Sequence, residues 1–292
     1  MMSQPIVVGY DGSPASDLAL EWAAQAAADR GLPLKIVVAW NLPAVNFGAG
    51  AGTTYESALV DEMRADADVA VEKALTAAHA VSPDLVVSGE VMVNPPAAAL
   101  VEQSHHASMM VLGSHGHGGF TGLLLGSVSR QVATHSSCPA VVVKPSGDPE
   151  AREVVVGVDG SKPALKALDF AFDHASRRGL KLRVVHTWEV PPIGAITGVP
   201  TFSPPELLAD IKGNEMRTTA EVLAGHRDRY PDVRVVQDVQ RGSPVQVLTD
   251  LSEHSALVVV GSRGRGGFVG LLLGSVSHGV VHHARCPVAV VH

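Results

Sequence analysis

One stretch of this chain occurs twice. Val260 to Ser277 reads V-G-S-R-G-R-G-G-F-V-G-L-L-L-G-S-V-S, and Leu112 to Ser129 reads L-G-S-H-G-H-G-G-F-T-G-L-L-L-G-S-V-S. Each copy begins where an apolar run ends and finishes at a small polar residue that opens an amphipathic segment. The duplication extends well beyond these stretches. Gly9 pairs with Gly157, Asp11 with Asp159, Trp40 with Trp188, Gly113 with Gly261 and Cys138 with Cys286, each pair 148 positions apart. A constant offset over whole halves means two copies of one unit, with no net insertion between these markers. The halves are read as domains 1–145 and 150–292, joined by Pro145-Ser-Gly-Asp-Pro149, a linker composition. A length of 292 residues suits two ordinary domains.

Within each copy, strand and helix signals alternate. Pro5 to Tyr10 and Glu153 to Val158 are short apolar strands. Asp11-Gly-Ser-Pro14 then opens a helix, with serine as N-cap and proline at the first helical position. Leu18, Leu20, Trp22 and Ala23 are expected to form its apolar face, and Gly31 to end it. Leu34–Trp40 is the second strand. An irregular stretch follows, glycine-rich at 41–54 in the first copy and proline-rich at 189–205 in the second. A long helix from about Tyr55 to Val81, a strand from Leu85 to Val93 and a short helix opened by Pro95 and Pro96 lead to the glycine loop. A fourth helix and the strand Pro139–Val143 close the unit. The expected class is α/β: two repeated, doubly wound, parallel five-stranded domains, Rossmann-like and nucleotide-binding α-hydrolase-like. In such sheets ligands bind beyond the carboxyl ends of the strands, where strand order reverses. That rule brings Asp11 to the Gly113 loop and Asp159 to the Gly261 loop.

A glycine-rich loop between a buried strand and a helix is competent to hold an anion. Its backbone N–H groups can approach a ligand, and the helix N-terminus adds partial positive charge. Ser127 and Ser275 sit where those N–H groups collect. The competing reading is a tight turn with a serine N-cap. No G-x-x-x-x-G-K-[ST] occurs, and no G-x-G-x-x-G follows the first strand, so neither a P-loop nor a dinucleotide fingerprint is present. What stands here is G-x-x-G, nine residues, then G-S: Gly113, Gly116, Gly126, Ser127, and again Gly261, Gly264, Gly274, Ser275.

This arrangement resembles the ATP-binding branch of the universal stress protein family, over nearly the whole chain. The resemblance rests on the opening Asp-Gly-Ser, the glycine loop and the closing Cys-Pro strand of both halves. It implies that Asp11 and Asp159 contact a nucleoside, that Gly9 and Gly157 pass close to it, and that backbone at Trp40 and Trp188 borders the adenine. By the same resemblance phosphates are held in the first half by Gly113, Ser114, His115, Gly116, His117, Gly118 and Gly119 with Gly126, Ser127, Val128 and Ser129. In the second half the set is Gly261, Ser262, Arg263, Gly264, Arg265, Gly266 and Gly267 with Gly274, Ser275, Val276 and Ser277. The implied cofactor is ATP, with magnesium. The implied function is a nucleotide-responsive regulator in stress or growth arrest, with regulatory protein partners that the sequence does not specify and with a homodimer compatible with it. Two alternatives stay open: a slow ATPase or phosphotransferase, and an interaction scaffold that needs no nucleotide. Asp11 could instead cap its own turn as an Asx-turn beside Gly12, and the two tryptophans could be core aromatics.

The remaining signals exclude more than they assign. A net charge of −7 argues against a nucleic-acid binder that relies on phosphate neutralisation. The charge is uneven: residues 1–148 carry 6 basic and 14 acidic side chains, residues 149–292 carry 16 and 15. No signal-peptide pattern precedes the first strand and no apolar run approaches about 18 residues, so a soluble, cytoplasmic chain is expected, with no membrane partner. Two cysteines, Cys138 and Cys286, occupy one repeated position and read as structural. No G-x-S-x-G elbow or nucleophile–base spacing is present, so no catalytic residue is assigned. His278, His282 and His283 lie together on a helix but have no counterpart set in the first copy, so no metal is assigned. The loops differ in one consequential way: His115 and His117 stand where the second copy has Arg263 and Arg265. Arginine is always charged and grips phosphate bidentately, whereas histidine changes charge within the physiological range.

Overall fold

The computed structural model describes residues 4–41, 52–117, 125–189, 205–265 and 272–292. The chain divides into two units, Met1–Pro145 and Ser146–His292. In the first, the elements run β1 (Ile6–Gly9), α1 (Pro14–Arg30), β2 (Leu34–Trp40), α2 (Gly52–Val81), β3 (Val87–Val93), α3 (Pro96–Gln103), a 3₁₀ turn (Ser104–His106), β4 (Met109–Gly113), α4 (Ser127–His135) and β5 (Ala140–Val143). The second repeats the plan as β6 (Glu153–Gly157), α5 (Lys162–Arg178), β7 (Lys181–Trp188), α6 (Pro205–Arg229), β8 (Val235–Arg241), α7 (Pro244–Ser252), β9 (Leu257–Gly261), α8 (Ser275–His283) and β10 (Val288–Val291).

All pairings within each unit are parallel. The first unit has the order β3-β2-β1-β4-β5, with Ile6 beside both Leu34 and Met109. The second has the same order, β8-β7-β6-β9-β10. The expected doubly wound α/β class is therefore what the chain adopts. Central strands are covered on both faces, which is why they read as unbroken valine runs: Val154, Val155, Val156, Val258 and Val259 are completely buried. Order reverses between β1 and β4 and between β6 and β9, and the site residues described below come together at those two points.

Local chemistry explains the helix boundaries. Ser13 and Ser161 are N-caps in extended backbone, each accepting from the amide three residues on, with proline inside the first turn. Such a cap contributes about 1 kcal/mol. Gly31 and Gly179 end their helices at φ 61°, the left-handed conformation glycine adopts without strain. The apolar face of α1 differs from expectation. Leu18 is exposed, and the buried positions are Ser16, Ala19, Leu20, Ala23, Ala24, Ala26 and Ala27. The i, i+3, i+4 run through Leu20 and Ala23 sets the buried stripe, and Leu18, two positions from Leu20, points away from it. Cys138 and Cys286 are buried where β5 and β10 begin, and burial pushes the Cys138 thiol pKa up. Among the described residues no helix is long and apolar enough to cross a membrane.

Candidate functional site

β1 ends at Gly9, and the chain turns through Asp11-Gly12-Ser13 into α1. The turn needs Gly12 at φ 80° and is closed by Asp11 itself: Oδ1 accepts from the Ser13 amide at 3.0 Å and from the Ser13 hydroxyl at 2.6 Å. The other oxygen reaches across the reversal point. Asp11 Oδ2 accepts the backbone N–H of His117, in the loop after β4, at 3.2 Å. The second unit reproduces this: Asp159 Oδ1 accepts from the Ser161 amide at 2.9 Å, and Oδ2 from the Arg265 amide at 2.8 Å. Each aspartate thus makes its own Asx-type turn and also clasps the glycine loop. The two readings of Asp11 describe one carboxylate's two oxygens.

The glycines at the start of the loop permit that clasp. A Cβ on Gly264 would lie 2.5 Å from Asp159 Oδ2, and one on Gly261 would lie 2.7 Å from backbone at Pro163. Gly113 meets the backbone of Ala15 in the same way at 2.6 Å. Only a residue without a side chain lets the loop come so close to the helix start and its acid.

The far end of the loop is pinned as well. Gly126 and Gly274 donate their amides to Ser114 and Ser262 carbonyls at 2.7 Å. Ser129 and Ser277 return their hydroxyls to the Gly113 and Gly261 carbonyls at 2.6 and 2.5 Å. The N-caps of α4 and α8 are Gly126 and Gly274, in extended backbone with no side-chain cap. This corrects the serine N-cap reading: Ser127 and Ser275 are the first helical residues and are exposed. With glycine at the cap, no side chain takes the leading N–H groups of the helix, and they remain available to an external acceptor.

In the second unit these parts surround a cavity of about 510 Å³, within the ordinary range for a small-molecule site. Its lining includes Gly157, Asp159, Gly261, Arg263, Gly264, Arg265, Gly274, Ser275, Val276 and Ser277, all expected from the sequence. The rest went unanticipated: Val158, Ala164, Val185, Thr187, Glu189, Gly242, Pro244, Leu248 and Val260. Alternation along β7 was the available signal. Residues 185, 187 and 189 share one face, which leaves His186 and Trp188 on the other. His186 accordingly bonds the Val158 carbonyl at 2.8 Å and Glu215 of α6 at 2.9 Å. Trp188 and Ser262 are not among the lining residues. The indole N–H groups of Trp40 and Trp188 are buried without a hydrogen-bond partner among the described residues. Gly9 and Gly157 end β1 and β6, packed so that a Cβ would meet Leu100 Cδ1 at 2.8 Å and Leu248 Cδ1 at 2.9 Å. Gly118, Gly119, Gly266 and Gly267, and most of stretches 41–54 and 189–205, lie outside the described residues.

Both aspartates are held ionised. Burial works to raise the Asp11 carboxyl, but donors from Ser13 and Ser16 and the His117 amide outweigh it, leaving its pKa below the ordinary value. For Asp159 burial is likewise overcome, by Ser161, the Arg265 amide and the charge of Arg265. In the first unit the imidazole Nδ1 of His117 stands 3.8 Å from Asp11 Oδ2. In the second, the guanidinium of Arg265 lies against Gly160, where a Cβ would collide with it. The arrangement offers an anionic hydroxyl acceptor, an apolar wall of Val158, Val185 and Leu248, and a pole of backbone amides with two arginines.

Comparison with known proteins identifies the family and the fold. The family model for the universal stress protein family matches twice, over residues 2–144 and 150–292. A universal stress protein of Mycobacterium tuberculosis is 40% identical over 303 residues, covering 99% of each chain. One from Mycolicibacterium smegmatis is 37% identical over 302 residues, covering 98% of this chain and 96% of its own. The crystal structure of a universal stress protein from Archaeoglobus fulgidus shares the fold, with a TM-score of 0.72 at 22% identity, covering 100% of this chain and 99% of its own. With both halves matched and relatives aligned end to end, the chain belongs to the universal stress protein family, in tandem form.

Proposed function

We propose that each half binds ATP, with magnesium, and that the chain acts as a nucleotide-responsive regulator in stress or growth arrest. The observation that carries this reading is the joint placement of Asp159 and the glycine loop at one cavity. A carboxylate that accepts hydrogen bonds suits ribose hydroxyls, the apolar wall suits a base, and the uncapped amides of α8 with Arg263 and Arg265 suit phosphates. Magnesium supplies charge neutralisation on the phosphates when bound. The residues fit such a ligand because Asp159, Arg263, Arg265 and the start of α8, which has no side-chain cap, line one cavity of about 510 Å³.

The reading is of a binder and not of a fast enzyme. Both oxygens of Asp159 are already committed to amide donors, and its pKa lies below the ordinary value, so it is a poor general base. The test is thermal unfolding of the full chain with and without ATP and magnesium, beside the Asp11→Ala/Asp159→Ala double variant, with phosphate release followed in parallel. Stabilisation by ATP that the double variant loses, without steady turnover, is the expected result. Turnover near about 1 s⁻¹, the low end of ordinary enzymes, that disappears in the double variant would overturn the non-enzymatic part.

A further inference from the structure

A cavity of about 360 Å³ lies in the first unit between the α1–β2 and α2–β3 connections. It sits beside the amino ends of β2 and β3, at the opposite edge of the sheet from Asp11. Its walls include Ala27 and Ala28 of α1, Pro33 before β2, and Ser82, Asp84 and Val86 after α2. Ala27 is fully buried, whereas Val86 is 71% exposed and forms the lip. The volume is enough for a small molecule.

The internal repeat shows what closes the equivalent place in the second unit. By the 148-residue offset Ser82 corresponds to Tyr230, Ala28 to Ser176 and Asp84 to Asp232. Tyr230 stacks on Phe172, with ring centroids 5.4 Å apart. Phe172 precedes Ala175 and Ser176 by three and four positions on α5, so the stacked ring lies over the turn that corresponds to Ala27 and Ala28. Ser176 donates its hydroxyl to Asp232 Oδ2 at 2.6 Å and ties the two connections together. In the first unit the residues at the positions of Phe172, Ser176 and Tyr230 are Ala24, Ala28 and Ser82. Neither the two rings nor the bridging hydroxyl is supplied.

Charge differs in the same direction. Lys181, Arg229 and Arg234 stand around the Asp232 connection in sequence, and Arg229 places its guanidinium carbon 5.3 Å from the centre of the Tyr230 ring. Their counterparts are the uncharged Pro33, Val81 and Val86. Arg30, the cation at the end of α1, is turned back onto the Ala26 carbonyl at 3.4 Å and is not among the lining residues. The C-termini of α1 and α2 add partial negative charge beside Asp84. Relative to its own copy, the first unit lacks a ring, a hydrogen-bond donor and a positive charge, all at one cavity.

We propose that this cavity binds a small aromatic ammonium ion. The ring takes the place that Tyr230 fills in the second unit, against Ala27 and Val86, and the ammonium group donates to Asp84. The pairing of Tyr230 with Arg229 is the second unit's built-in equivalent of such a ligand. The proposal is independent of nucleotide binding, because the cavity lies at the other ends of the strands.

The test is calorimetric titration of the full chain with phenylethylamine. Phenylethanol and phenylpropionate, which lack the positive charge, and butylamine, which lacks the ring, are the comparison probes. Phenylethylamine should bind most tightly, and backbone amide shifts at residues 28, 82 and 84 should report its binding. Ser82→Tyr rebuilds the ring of the second unit, so it should abolish binding and raise Tm. Val86→Arg places a cation at the exposed lip, as Arg234 does in the copy, and should weaken phenylethylamine about threefold, the worth of an exposed ion pair. Because that position is exposed, Val86→Arg still decides the matter if Ser82→Tyr fails to fold. Phenylethanol bound as tightly as phenylethylamine would overturn the proposal. So would phenylethylamine affinity unchanged in the folded variants, or no binding to the unaltered chain.

Discussion

Substituting Gly264 by alanine tests the clasp between loop and acid. Its φ is not in the left-handed region, so alanine meets no backbone penalty there. The cost comes from contact: the new Cβ would lie 2.5 Å from Asp159 Oδ2, where real Cβ atoms are essentially never found. Carboxylate and loop must part by at least about 0.5 Å, stretching the 2.8 Å Arg265 amide bond to the edge of hydrogen-bonding range. A bond to a charged acceptor contributes about 1.5–3 kcal/mol, and alanine recovers about 0.4–1 kcal/mol through the unfolded chain. The net destabilisation is about 1–2 kcal/mol, or about 3–6 °C in Tm for a unit of this size. The larger signature is ligand-dependent. A site at a hundredfold excess of ATP gains about 2.7 kcal/mol, and the second unit should lose most of that gain in Gly264→Ala. Gly179→Ala is the control. It is strained at φ 61° with nothing within 4 Å, so it should cost about 1 kcal/mol and leave the ATP response intact. Differential scanning calorimetry with and without ATP–magnesium separates the cases. A Gly264→Ala chain that keeps the full ATP-dependent rise would refute the reasoning.

Other outcomes follow from the same geometry. Asp11 and Asp159 have pKa values below the ordinary range in the folded chain, so the stability they supply is complete above the unfolded value of about 3.9 and is lost as pH falls through the lower folded values. Asp11→Asn/Asp159→Asn should therefore flatten the acid limb of stability against pH, seen by urea unfolding at stepped pH. Ser277→Ala removes the hydroxyl bonded to the Gly261 carbonyl and should cost about 1–2 kcal/mol by chemical denaturation. Leu248→Ala takes a side chain that is 2% exposed from the cavity wall and should cost about 2–4 kcal/mol, with weaker nucleotide binding by calorimetry.

Much of this was legible because the repeat supplies its own control. The 148-residue offset fixed the paired elements, and the Ser13-Pro14 and Ser161-Lys-Pro163 starts follow from capping chemistry alone. Glycine at 113, 116, 261 and 264 was legible as a mark of close backbone approach, and what the loop approaches in the structure is the helix start and its aspartate. The cap at Gly126 was misjudged because a Gly-Ser pair offers two candidates, and serine's preference for N-cap positions is only statistical. The actual cap is decided by the hydrogen bond from the Gly126 amide to Ser114, a contact between residues twelve apart. The cavity wall from Val185, Thr187, Gly242 and Leu248 was missed for a related reason. Its members carry no chemistry of their own, and only the closing of β7 and α7 around the reversal point makes them a wall.

The most direct test of the central claim is the adenine nucleotide content of the full chain after saturation with ATP and magnesium at pH 6 and removal of free ligand. The protein is then heat-denatured, and released nucleotide is counted by chromatography. Close to two ATP per chain is the predicted result, with the Gly116→Val and Gly264→Val chains each releasing about one. No nucleotide from the unaltered chain, with none taken up on repeated addition of ATP and magnesium, would contradict the account.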